Sequence, residues 1–73
     1  MQPFQQRVVT ERDELAEKLT GLNSFIGGEI FKVIPAEEKI RLAKQAGVMK
    51  EYLDILNDRI AAFTPSPSLT IIP

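Results

Sequence analysis

The chain has no cysteine and no histidine among its 73 residues. The first absence removes disulfides and thiolate chemistry; the second removes the base that usually activates a serine or cysteine nucleophile. Together they also remove the commonest ligands of a structural metal site. Neither sign of charge prevails, since Lys+Arg 9 stand against Asp+Glu 10 for a net charge of -1. Without a global basic field, long DNA or RNA is not an expected partner. No apolar run approaches the roughly 18 residues of a membrane span, and the start MQPFQQRVV lacks a signal-peptide core. A cytosolic protein that binds no membrane is expected, and the lack of cysteine fits a reducing compartment.

A single domain of this length buries only about 60% of the surface its unfolded chain exposes. Small scaffolds make up the deficit with disulfides, a metal or self-association, and only the last is open to this composition. The apolar positions Val8, Leu15, Leu19, Leu22 and Ile26 recur at helical spacing between charged residues, which predicts an amphipathic helix over Phe4 to Ile26. Pro3 suits its first turn, and Gly27-Gly28 offers a permissive backbone for its stop. The short segment Glu29 to Ile34, with Ile30, Phe31, Val33 and Ile34, is apolar enough to be buried and serves as a helical turn or a tight connector. A second helix starts at Pro35, with Glu37 and Glu38 at the positive end of its dipole.

In that helix Leu42, Ala46, Met49, Leu53, Leu56, Ile60 and Phe63 follow the alternating four-three spacing of a coiled-coil seam. A second stripe of Ile40, Val48, Tyr52 and Ile55 lies off the seam. It is either a wide core face or a surface for other subunits. The expected fold is all-α: an antiparallel two-helix hairpin with a short apolar connector over residues 1–63, assembled into a helical oligomer. Residues 64–73 are Pro/Ser-rich and expected as an extended tail whose end, Leu69 to Ile72, is apolar.

Catalysis has little to work with. Glu11, Asp13, Glu14 and Glu17 alternate with Arg7, Arg12 and Lys18 at i to i+4 spacing, the pattern of a solvated, ion-paired face. Gly27-Gly28 lacks the surroundings of a phosphate-cradling loop. No enzyme activity, cofactor or metal is expected. The cluster Phe4, Gln5, Gln6 and Arg7 combines an aromatic face, two amides and a guanidinium, a set able to stack on a base, read its edge and hold a phosphate. Standing alone, it reads more simply as a surface helix start anchored by Phe4.

The run Pro3-Phe4-Gln5-Gln6-Arg7-Val8-Val9, then Glu11, Leu15, Lys18-Leu19, Leu22, Phe25-Ile26, and later Gln45, Met49, Tyr52, Leu53, Leu56 and Arg59-Ile60 resembles the small phage anti-CBASS cyclic-oligonucleotide sponges. The resemblance covers residues 3 to 63. It implies a helical protomer assembled into a hexamer in the host bacterial cytosol. There it would sequester, without cleavage, cyclic dinucleotides such as cyclic GMP-AMP and, in some members, cyclic trinucleotides. By position, it assigns Lys18 and Thr20 to a dinucleotide pocket between subunits, which Arg7 of the N-terminal cluster would join, and Arg59, with Thr20, to a trinucleotide pocket. The family's stacking aromatic falls at Pro3, which passes the role to Phe4. Each residue has a local alternative: Lys18 paired with Glu14 or Glu17, Arg59 with Asp58, Thr20 bonded within its own helix. The other class of reading is a helical adaptor or structural phage protein, with Tyr52 and Ile71-Ile72 as anchors for a protein partner.

Overall fold

A computed structural model of the chain describes residues 1–63. The tail expected over 64–73 lies outside the described residues. Three helices follow in order: α1 (Pro3–Ile26), α2 (Glu29–Val33) and α3 (Ala36–Ala61), with no strand among the described residues. The connector is therefore a short helix of its own, and the hairpin has three helices where two were expected.

α1 starts at Pro3, whose missing N–H falls among the amides a helix start leaves unpaired in any case. The Gln2 N–H donates to Gln5 Oε1 at 2.8 Å, which fixes the entry of the chain. The helix ends without calling on glycine's freedom, because Gly27 keeps a right-handed φ of -83°. Gly28, at φ -94°, is extended. The expectation that this pair supplies a special backbone is thereby corrected. Chain reversal depends instead on side chains. Phe25 meets Phe31 edge-on at 6.4 Å, and Lys39 lies 5.8 Å over the Phe31 ring while its Nζ donates to the Lys32 carbonyl at 3.0 Å. Phe31 and Ile34 turn inward, but Ile30 and Val33 are exposed, so only half of this apolar segment is covered. α3 then takes its first bonds from Pro35, whose carbonyl accepts from Glu38 and Lys39.

α1 and α3 lie antiparallel. Phe4 packs edge-on against Phe63 at 6.1 Å, and farther along Arg12 Nη1 donates to Asn57 Oδ1 at 2.9 Å. Between them every member of the seam from Leu42 to Phe63 is buried or half-buried, facing Val8, Leu15, Leu19, Leu22 and Ile26. Only Val8, Leu19 and Leu56 are buried hydrophobics among the described residues, which is a thin core. The second stripe contributes nothing to it: Val48 is 59% exposed, Tyr52 42% and Ile55 56%. The reading of that stripe as a wide core face is excluded within one protomer.

Candidate functional site

The hairpin carries an open groove of about 500 Å³ along one flank of α1, lined by Gln6, Arg7, Thr10, Glu11, Glu14, Leu15 and Lys18, with Tyr52 of α3 as its opposite wall. Its α1 residues recur three or four apart, which places them on one side of the helix. Tyr52 reaches the same side because α3 runs antiparallel and presents the flank next to its buried seam. The groove therefore offers an aromatic ring, an amide, a hydroxyl, two cations and two carboxylates.

The cations divide sharply. Arg12 bonds Asp13 at 2.7 Å, Lys32 bonds Glu29 at 3.3 Å, Arg41 bonds Glu38 at 2.8 Å and Lys50 bonds Asp54 at 3.1 Å. Arg7, Lys18, Lys39, Lys44 and Arg59 have no carboxylate partner among the described residues, though Lys39 is held by the Lys32 carbonyl. The ion-paired face expected over Arg7 to Lys18 is thus formed only by Arg12 and Asp13. Three of these five, Arg7, Lys18 and Arg59, are the cations expected above at nucleotide contacts.

The expected site residues are not all brought together. Arg7 and Lys18 line the groove, and Gln6 accompanies them. Gln5 is spent on the helix start. Pro3 is the first residue of α1, and Phe4 holds one ring edge against Phe63 yet stays 53% exposed. Thr20 faces elsewhere: two residues of helix turn the direction by about 200° from Lys18. Its hydroxyl donates to the Ala16 carbonyl at 3.0 Å, the local alternative foreseen for it. Arg59 is exposed in the last turn of α3, near the negative end of the helix dipole. Because Arg12 meets Asn57, Arg59 and Arg7 stand toward the same open end of the hairpin. Tyr52, Thr10, Glu11 and Glu14 are groove residues that sequence reasoning did not place there. For Thr10, Glu11 and Glu14 the signal was available in their spacing from Arg7 and Lys18. No cluster of three or more carboxylates that could hold a metal occurs among the described residues.

These features define an all-α hairpin carrying an open groove with unpaired cations on one flank. The chain belongs to the Sequestin family, whose model matches residues 2–62. It is 36% identical over 63 residues to the uncharacterized 7.5 kDa protein in the denB-rIIB intergenic region of Enterobacteria phage T4, a match covering 86% of this chain and 98% of that protein. Family membership and a phage relative agree with the resemblance read from the sequence. No solved structure matches the chain. Among the described residues no helix is long and apolar enough to cross a membrane.

Proposed function

We propose that this chain is a non-enzymatic phage anti-defence protein. In the host cytosol it holds cyclic di- and trinucleotide immune signals in an oligomer, the hexamer of the resembling family, and so starves their effectors. The observation that carries the reading is the pair Arg7 and Lys18, unpaired and set on one groove opposite an aromatic ring. Phosphates of a cyclic dinucleotide are doubly acceptor-rich anions, and unpaired guanidinium and ammonium groups are their natural partners. The family's name, which denotes sequestering, supports the same reading.

One protomer is not a sufficient site. Glu11 and Glu14 cancel the charge of Arg7 and Lys18 within the groove, so a dianion needs cations from elsewhere. Thr20 cannot join Lys18 in one chain either, and a neighbouring subunit supplies it. A two-fold interface presents each cation twice, which suits a ligand with two phosphates. Phe4, half-exposed at the open end, provides a stacking face there, and Arg59 at that end serves the trinucleotide.

The test is incubation with excess cyclic GMP-AMP, followed by denaturation and chromatography of everything released. Intact nucleotide, at a fixed ratio to protein, is the expected result. Linear products accumulating beyond one equivalent per site would overturn it. Melting measured with ligand at a hundredfold excess over Kd should gain about 2.7 kcal/mol by mass action. A protein adaptor, the reading favoured by the exposed Ile30 and Val33 at the connector end, would gain nothing from nucleotide.

A further inference from the structure

We infer that a second copy of this chain covers the outer stripe of α3, antiparallel to it, about a two-fold axis beside Tyr52. The inference rests on the self-association proposed above and names the face and register, which that proposal leaves open. Val48, Tyr52 and Ile55 stand one turn apart in succession on one flank of α3, all exposed, while the adjacent seam is already spent on α1. The stripe thus adds a second contact surface to a helix whose first is complete.

Its order is self-complementary. Val48 lies one turn before Tyr52 and Ile55 one turn after it. A two-fold axis at Tyr52 therefore sets Val48 of each copy against Ile55 of the other, as an isologous contact requires. The charges obey the same symmetry. Lys44 lies about two turns before the axis and Asp58 nearly two turns after it, and neither has an ionic partner among the described residues. The rotation brings Lys44 of each copy within reach of Asp58 of the other, twice. A second copy therefore covers all three apolar side chains and satisfies both charges with residues the chain already has. The chain also needs such cover, since its own core holds so few buried side chains among the described residues.

The axis has a consequence for the groove. Tyr52 belongs to the stripe and is also the groove's wall. With the second copy in place, the two grooves meet at paired Tyr52 rings, and each is completed by the neighbour.

The absence of cysteine makes the test clean. In the full chain, Tyr52→Cys should give a disulfide-linked dimer under mild oxidation, and so should the double variant Val48→Cys/Ile55→Cys. Ile40→Cys, exposed but about 18 Å along α3 from the axis, should not. Lys44→Glu should weaken self-association roughly tenfold, and Lys44→Glu/Asp58→Lys should restore it. A monomeric mass at micromolar concentration would overturn the inference. So would an oligomer in which Tyr52→Cys fails to cross-link, or cross-links no better than Ile40→Cys. Nucleotide plays no part in these measurements, so a cross-linking oligomer that ignores nucleotide would refute the proposed function alone.

Discussion

Truncating Leu56 to alanine tests whether the α1–α3 seam holds the chain together. Leu56 is 0% exposed, the only large side chain buried so completely among the described residues. Leucine-to-alanine changes in cores cost about 2–5 kcal/mol, depending on how far the surroundings collapse into the gap. Its seam neighbours Leu53 and Ile60 are only half-buried and free to relax, so the loss should fall near the middle, about 3 kcal/mol. A helical domain of this size has roughly 3–9 kcal/mol in total. The variant should melt roughly 12–24 °C lower, at about 4–8 °C per kcal/mol. The assay is thermal unfolding followed by far-ultraviolet circular dichroism at one fixed protein concentration, because an oligomer's midpoint shifts with concentration. Ile40→Ala is the matched control, removing a comparable side chain that is 65% exposed, and should change stability by no more than about 0.5 kcal/mol. Equal losses from the two substitutions would refute the seam as the source of stability.

Lys18→Glu should weaken cyclic dinucleotide binding by about 2–3 kcal/mol, up to roughly a hundredfold, in titration calorimetry, with oligomer mass unchanged by light scattering. Arg59→Ala should spare dinucleotides and weaken cyclic trinucleotides by a similar factor; equal losses for both ligands would mean a single shared pocket. Gly27→Ala should stabilise by about 0.5 kcal/mol in denaturant unfolding, because the φ is already right-handed and an added Cβ would meet only carbonyl oxygens at 3.6 and 3.9 Å.

Much of the fold was legible because long amphipathic segments announce themselves. The apolar spacing from Val8 to Ile26 and from Leu42 to Phe63 marks the faces that meet, and Pro3 and Pro35 mark the starts. The five residues of α2 carry too little periodicity to be read as helix, and their apolar character concealed that Ile30 and Val33 face outward. The stripe of Val48, Tyr52 and Ile55 was visible in sequence, yet whether a core or a neighbour covers it depends on how much of α3 the hairpin partner spans. At the site, Arg7 and Lys18 share one face of α1, but only the folded pair of helices brings Tyr52 across to them. Thr20, two residues beyond Lys18, faces away from it within the helix, because adjacency along a helix is not adjacency in space.

The antiparallel pairing of α1 with α3 also orders events in time. Contacts beside α2 close short loops, whereas Arg12 and Asn57 are 45 residues apart in sequence and Phe4 and Phe63 lie farther still. The hairpin should therefore zip from α2 outward and fray in reverse, with amide hydrogen exchange fastest in the first turns of α1 and the last turns of α3. Pro3, Phe4, Arg7 and Arg59 stand at that loose end. A ligand gripping both helices there would act as a clasp, and the protection it confers would appear first where the free protein opens most readily.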